Sequence, residues 1–430
     1  MNILNIINKK RLHNELSKEE IEFFVNGYTK GDIPDYQISS LLMAICINGM
    51  TEQETFFLTD SMKNSGDTLS FKEIKGITVD KHSTGGVSDT TSVALIPILA
   101  CAGLYSIKMS GAGLGFTGGT TDKLQVFKGI SLDFDIKKNV DKINKNGACF
   151  CSQSVSLAPA DKKIYALRDI TETVESIPLI ASSIMSKKLA CGNDLILLDV
   201  KTGNGAFMKD LKSAEKLAKL MVKIGKTAGR KMGAIISDMN EPLGNGVGCT
   251  LEIADAINVL KGEKNKLFDV VKILAIKIMT ISNLYSLKQA EQKFDEIITS
   301  GEGLKKLQDI VESQCGDFNY ALEKISSLKP TKTILAKNDG YVSYYDTSAL
   351  GYLVCSMGGG RETLTDIIDL DCGIFAYKKI GDKVKKGDKL FDIYLGSKLT
   401  TDEIEKKLQE IMLITDKKTK KKQTIYKVIL

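Results

Sequence analysis

The pattern of apolar and polar positions divides the chain into three stretches. Over the first 66 residues apolar positions recur at helical spacing, as in Ile38, Leu41, Leu42 and Ile45. Ser17-Lys-Glu-Glu20 and Thr51-Glu-Gln-Glu54 carry the Ser/Thr-x-x-Glu pattern that caps a helix start reciprocally. Asn48-Gly49 and Ser65-Gly66 read as helix stops. After Gly76 the character changes. Ile77–Asp80 reads as a short strand, Thr91–Leu104 as a buried helix and Tyr105–Ser110 as a second strand. Leu195–Val200 and Ala234–Ser237 are further strand-like runs, with helical patterns over Ala214–Gly225 and Leu251–Lys261. Alternating strands and helices indicate an α/β sheet. Helical spacing returns over 160–192. The chain is therefore read as a discontinuous helical unit (1–66 and 160–192), an α/β unit (67–159 and 193–332) and a C-terminal unit (333–430). The last is rich in short strands and glycine turns over Ala336–Val342 and Gly373–Tyr394.

Composition narrows the classes. The 430 residues are 43% hydrophobic and 26% charged, a globular balance that suits two or three domains. No apolar run approaches the roughly 20 residues of a membrane span, and Met1–Lys10 has no signal core. A cytoplasmic protein without a membrane partner is expected. The cysteines number nine, an odd count, and Cys149 and Cys151 have no second pair, so reduced thiols are expected rather than zinc ligands. Part of the net charge of +6 lies in Lys417, Lys418, Lys420, Lys421 and Lys422. With no aromatic residues interleaved, this run reads as a solvated face rather than a nucleic-acid contact. Ile380-Gly-Asp-Lys-Val-Lys-Lys-Gly-Asp388 resembles the hairpin of biotinyl and lipoyl carrier domains. It lacks the acceptor Met-Lys-Met and is read as a structural hairpin.

Two segments carry candidate chemistry, Asp80-Lys-His-Ser-Thr-Gly-Gly-Val-Ser-Asp-Thr-Thr-Ser92 and Met109-Ser-Gly-Ala-Gly-Leu-Gly-Phe-Thr-Gly-Gly-Thr-Thr-Asp122. Each follows an expected strand and leads into an expected helix. Glycine lets the backbone approach a ligand, helix N-termini offer free N–H groups, and Lys81 adds a charge. Together they suit a phosphate ion; two plain glycine turns remain the alternative. Neither segment is a Walker loop or a clean dinucleotide fingerprint. His82 is one of only two histidines and stands at a strand end, where α/β sheets bind ligands; His13 lies in a polar stretch. A third cluster joins Tyr165 and Arg168 with Ser182, Ser183, Lys187 and Lys188. Ser183 and Lys187 share a helix face. Taken alone, Arg168 and Lys187 read more readily as surface charges.

At these residues the chain resembles the thymidine and pyrimidine-nucleoside phosphorylases. The matching stretches include Lys81-His-Ser-Thr-Gly-Gly-Val87, Gly113–Leu124, Ala158-Pro-Ala-Asp-Lys162, Tyr165–Ile170, Ser176-Ile-Pro-Leu-Ile180, Asp199–Phe207, Asp238-Met-Asn240 and Met357-Gly-Gly-Gly-Arg361. The resemblance implies an α/β protein of the nucleoside phosphorylase type II-like fold: a mostly helical domain, a large α/β domain and a C-terminal α+β domain, assembled as a homodimer. It implies phosphate held by Lys81, Ser83, Ser92, Ser110 and Thr120 with Lys108 close by. The pyrimidine would be held by His82, Tyr165, Arg168, Ser183 and Lys187. Among these, His82, Arg168 and Lys187 would act in catalysis, with His82 able to serve as general acid. A monovalent cation such as K+ would be held at Ser88, Thr90, Leu243, Gly246 and Asp255. No organic cofactor is implied, and inorganic phosphate is the co-substrate.

The implied reaction is phosphorolysis of uridine, thymidine or deoxyuridine to free base and α-(deoxy)ribose 1-phosphate, in salvage. Four positions depart from the family pattern around the first two loops: Ala112 for arginine, Phe116 for histidine, Gln125 for glutamate and Ser88 for glycine. Asp255 stands for the usual glutamate. The lost arginine and glutamate are read as a pair dropped together. The rival readings are a catalytically weakened binding protein of the same fold, a phosphoribosyl transferase and a nucleic-acid-binding module.

Overall fold

The computed structural model describes residues 1–430 except 114, 116, 117, 134, 153–155, 364 and 397. Four helices open the chain: α1 (Ile3–Arg11), α2 (Lys18–Lys30), α3 (Asp35–Asn48) and α4 (Glu52–Lys63). Both expected capping boxes form, at Ser17–Glu20 and Thr51–Glu54. α3 stops at Gly49, whose φ of 71° favours glycine. α4 ends at Lys63 with Asn64 as its cap, directly before Ser65-Gly66. Gly66 lets two segments cross, because a Cβ there would lie 2.1 Å from the Ser156 carbonyl oxygen.

Strands and helices then alternate as expected: β1 (Thr78–Ser83), α5 (Thr91–Cys101), β2 (Tyr105–Ser110), α6 (Thr120–Leu124), α7 (Val140–Asn146), β3 (Ala148–Ser152), α8 (Pro159–Asp169), α9 (Ile177–Ala190), β4 (Leu195–Thr202), α10 (Leu211–Thr227) and β5 (Lys231–Asp238). β1 to β5 are mutually parallel in the order β5-β4-β1-β2-β3. Every residue of the central β4 is buried, as both-face coverage of a parallel strand demands. α8 packs Ala160, Ile164 and Leu167 into the bundle core beside Ile21, Phe24 and Leu41. α9 faces two ways. Its Leu179 joins that core, while Ala181, Met185 and Leu189 pack with α10 and β4. One helix therefore ties the bundle to the sheet.

Next come β6 (Gly246–Val247), α11 (Cys249–Leu260) and the helices α12 to α15 (Lys266–Ile281, Leu287–Ser300, Glu302–Ser313 and Phe318–Ser327). The C-terminal part contains β7 (Lys332–Leu335), β8 (Gly340–Tyr345), α16 (Thr347–Val354), β9 (Gly373–Ala376), β10 (Lys383–Val384), β11 (Lys389–Tyr394), α17 (Thr401–Ile411) and β12 (Met412–Thr415). Its sheets are β10-β8-β12 and β6-β9-β11-β7, so β6 stitches the α/β part to it.

Two expectations need correction here. Ile380–Asp388 is not a hairpin of its own: β10 pairs with β8, whereas β11 pairs with β9 and β7. The 333–430 unit also loses its end. β13 (Ile425–Ile429) returns past the exposed lysine run and adds antiparallel to β5, covering that edge of the large sheet. All nine cysteines are free thiols, six of them buried. Among the described residues no helix is long and apolar enough to cross a membrane.

The second capping box does more than start a helix. Glu54 is buried; it accepts from Lys10 Nζ and the Leu16 N–H, each at 2.8 Å, as well as from the Thr51 N–H. Glu54→Ala would strand the buried Lys10 charge and two N–H groups. We expect it to lower stability by about 3–5 kcal/mol, read from the urea midpoint, against about 1 kcal/mol for Glu20→Ala at the more exposed box.

Candidate active site

Both glycine-rich segments leave the carboxyl ends of neighbouring parallel strands, β1 and β2. They surround a cavity of about 200 Å³ lined by Lys81, His82, Ser83, Ser92, Lys108, Ser110, Thr120 and Lys187. Every residue expected to hold phosphate faces this one space. A second cavity of about 260 Å³ shares His82, Ser83, Gly85 and Lys187 with the first. Its further lining includes Tyr165, Arg168 and Ser183 among apolar Val174, Ile180, Ile184, Phe207, Met208 and Leu217. The expected pyrimidine residues thus also converge. The cleft has a cationic, hydroxyl-rich half and a largely apolar half, joined at His82 and Lys187.

Alternation along β1 builds the floor. Lys81 turns to one side, where Nζ bonds Thr91 Oγ1 and lies 3.7 Å from Asp89 and 3.5 Å from Asp199. Lys201, on β4, completes the group at 2.6 Å from Asp199 and 3.7 Å from Asp89. Asp80 turns to the other side. There it meets Lys188 of α9 at 2.7 Å and Lys108 of β2 at 3.4 Å. These groups are all buried or nearly so. Burial pulls the Lys108 ammonium down to about 8 despite Asp80. Burial also lowers Lys81, with Asp89 and Asp199 opposing. Asp89 is held well below its ordinary range: burial works against that, and Lys201 and Lys81 overcome it.

His82 stands among these lysines. Burial first, then Lys188, Lys108, Lys81 and Lys187, hold its imidazole well below the ordinary 6.5. That direction favours the neutral imidazole at pH 7. A neutral imidazole offers one N–H donor and one acceptor nitrogen. Lys187 is aimed by two partners, Asp161 Oδ2 and Ser183 Oγ at 3.1 Å. Arg168 differs from expectation. It is buried, and its Nε, Nη1 and Nη2 donate to the carbonyls of Thr173 (3.1 Å), Leu179 (3.1 Å) and Val174 (2.8 Å). Three of its five N–H groups hold the turn between α8 and α9, so it shapes the apolar half as well as lining it. Tyr165 lies over it with a ring-to-guanidinium distance of 5.6 Å.

The expected cation residues form a separate group. Asp255 is buried, and its carboxylate accepts the Asn245 and Gly246 N–H groups at 2.7 and 2.8 Å. Burial pushes it up to about 7. Thr90 Oγ1 is buried with no hydrogen-bond partner. A buried carboxylate and a buried hydroxyl oxygen without a partner suit a monovalent cation. Ser88, at φ 59°, donates Oγ–H to the Gly246 carbonyl. Leu243 and Gly244 lie beside it, with their N–H groups on the Val87 and Ser88 carbonyls. Lys379 donates to the Pro242 and Gly244 carbonyls of the same loop. Among the described residues no three His, Cys, Asp or Glu side chains gather to hold a metal.

Of the departures, Phe116 lies outside the described residues. Ala112 and Gln125 are exposed, so losing a charge at either place leaves no buried partner stranded. Several site residues were not singled out from sequence: Asp89, Asp161, Asp199 and Lys201. One signal was present. Asp199 and Lys201 are opposite charges two apart on one face of an otherwise apolar strand, which marks a buried pair.

Comparison with known proteins places this architecture. The chain matches the glycosyl transferase family models for the helical bundle domain over residues 4–66 and for the a/b domain over residues 75–304. It also matches the pyrimidine nucleoside phosphorylase C-terminal domain over residues 341–415. It is 47% identical over 421 residues to a pyrimidine-nucleoside phosphorylase of Staphylococcus epidermidis, covering 97% of each chain. It is 47% identical over 420 residues to one of Geobacillus stearothermophilus, covering 96% of each. The fold alone is shared with the anthranilate phosphoribosyltransferase of Thermus thermophilus, at 18% identity and a TM-score of 0.59 over 72% of this chain and 99% of that one. The protein is a two-domain glycosyl transferase with an added C-terminal domain. It belongs to the pyrimidine-nucleoside phosphorylase family.

The Lys108 ammonium sets a pH dependence. Its charge is present below about 8 and lost above. Sulfate keeps its charge throughout this range, so its affinity for the cavity is expected to fall as pH rises from 7 to 9.5. Calorimetric titration at both ends measures this, and equal affinities would contradict it.

Proposed function

We propose that the protein splits pyrimidine nucleosides with inorganic phosphate, yielding free base and α-(deoxy)ribose 1-phosphate. The observation that carries this reading is the paired cavity, cationic on one side and apolar on the other, with His82 and Lys187 at the junction. Phosphate binds against Lys81, Ser83, Ser92, Lys108, Ser110 and Thr120. The base lies in the apolar half beside Tyr165 and Ser183, with the sugar C1′ between the two.

As the glycosidic bond lengthens, positive charge grows on the sugar and negative charge on the base. Lys187, held in place by Asp161 and Ser183, donates to the base as that charge develops. Arg168 offers its two remaining N–H groups, and His82 an N–H from neutral imidazole. Preorganised donors of this kind are each worth about 10²–10³ in rate. Phosphate attacks C1′ from the opposite face, and its alignment supplies much of the remaining acceleration. The bond from C1′ to phosphate oxygen forms as the bond to base nitrogen breaks. The electron pair leaves with the base, and no covalent enzyme intermediate is required.

We also propose that Ser88, Thr90, Leu243, Gly246 and Asp255 hold K+, which when bound supplies a fixed positive charge beside the Asp255 carboxylate. The exposed apolar residues of α1 and α3, among them Leu4, Tyr36, Met43 and Ile47, support a homodimer joined through this face of the bundle. A cytoplasmic site of action completes the reading.

Lys81→Ala removes an ammonium that lines the cavity and lies against both Asp89 and Asp199. We expect the phosphate KM to rise by about two orders of magnitude, with a smaller change in uridine KM. Steady-state kinetics with each substrate varied measures both; an unchanged phosphate dependence would remove Lys81 from the site.

A further inference from the structure

The Met357-Gly-Gly-Gly-Arg361 motif lies in the C-terminal part and lines neither cavity, yet it reaches the glycine loop of the phosphate half. Asp122, buried on α6, is the link. One carboxylate oxygen accepts the Gly113 N–H at 2.7 Å; the other accepts Arg361 Nη1. Arg361 is itself fixed by Nε donating to the Asp366 carbonyl at 3.2 Å. Its own carbonyl accepts the Gly115 N–H at 3.0 Å. Cys355 Sγ donates to the Gly115 carbonyl. The loop is thus gripped at Gly113 and at Gly115 from the C-terminal part. Gly119 lets the loop fold closely enough for this, because a Cβ there would lie 2.1 Å from the Gly113 nitrogen and 2.6 Å from Asp122 Oδ2. The same loop runs from Ser110 to Thr120, two of the cavity's hydroxyl donors.

We propose that Arg361 is a positioning residue for phosphate binding, acting through Asp122 and its own carbonyl to hold Gly113 and Gly115 between Ser110 and Thr120. Its charge also neutralises the buried Asp122 carboxylate. The C-terminal part thereby takes a share in substrate affinity without touching substrate. The inference rests on the phosphate placement proposed above.

The test compares Arg361→Met, Arg361→Lys and Thr120→Val with wild type, measuring KM for phosphate and for uridine, kcat and melting temperature. Arg361→Met is expected to raise phosphate KM about tenfold or more while uridine KM stays within about twofold. Arg361→Lys restores the charge on Asp122 and is expected to recover most of that loss, a rescue that a merely structural role would not tie to phosphate. Should Arg361→Met fail to fold, the Arg361→Met/Asp122→Asn double variant, which leaves no unpaired charge, gives the same readout. A phosphate KM unchanged in the Arg361 variant while Thr120→Val raises it overturns the inference alone. If neither moves it, the phosphate placement fails as well.

Discussion

The cleft depends on a charge balance beneath it. The side chains of Asp80, Asp89 and Asp199 are buried, and so are those of Lys81, Lys108, Lys188 and Lys201, which lie within 4 Å of them. Buried ions cost free energy unless paired at close range. Here three carboxylates meet four ammonium groups, leaving one surplus positive charge under the cavity. An anion entering above completes the balance. Burial first, and then Lys188, Lys108 and Lys81 of this network, lower the His82 imidazole, so the field that attracts phosphate also disfavours a charged residue at the junction with the base.

The fold delivers these groups by period-two alternation on adjacent parallel strands. β1 sends Asp80 towards β2 and α9, and Lys81 towards the α5 loop and β4. β4 then contributes Asp199 and Lys201 on one face. α9 carries Lys187 and Lys188 side by side, one into the cleft and one into the network. Because α9 also ties the bundle to the sheet, its placement sets the spacing between the halves of the cleft. Arg168 secures the approach to α9 by holding the carbonyls of Thr173, Val174 and Leu179.

Local signals in the sequence were reliable where local chemistry decides. The two capping boxes formed where their Ser/Thr-x-x-Glu spacing placed them, and β2 has the expected bounds of Tyr105–Ser110. Composition could not reveal β13, which follows a lysine run and is a strand only because the β5 edge is there to pair with it. The strand pairing around Ile380–Asp388 was hidden for the same reason. The candidate residues gathered as expected, but their partners did not show in sequence. Lys188 and Asp80 are 108 positions apart, and Arg361 and Asp122 are 239 apart. Arg168 was given a role only through the family resemblance, and its grip on three backbone carbonyls was not legible at all.

The central claim is that an anion held over the lysine network attacks a nucleoside held in the apolar half. The most direct measurement is to incubate the purified protein with uridine, thymidine or deoxyuridine, with and without phosphate. Released base is quantified by chromatography and the sugar product by ³¹P NMR. The account predicts base release only with phosphate, matched by an equal amount of α-pentose 1-phosphate. Base release that proceeds equally without phosphate, or no release from any of the three by folded protein, would contradict it.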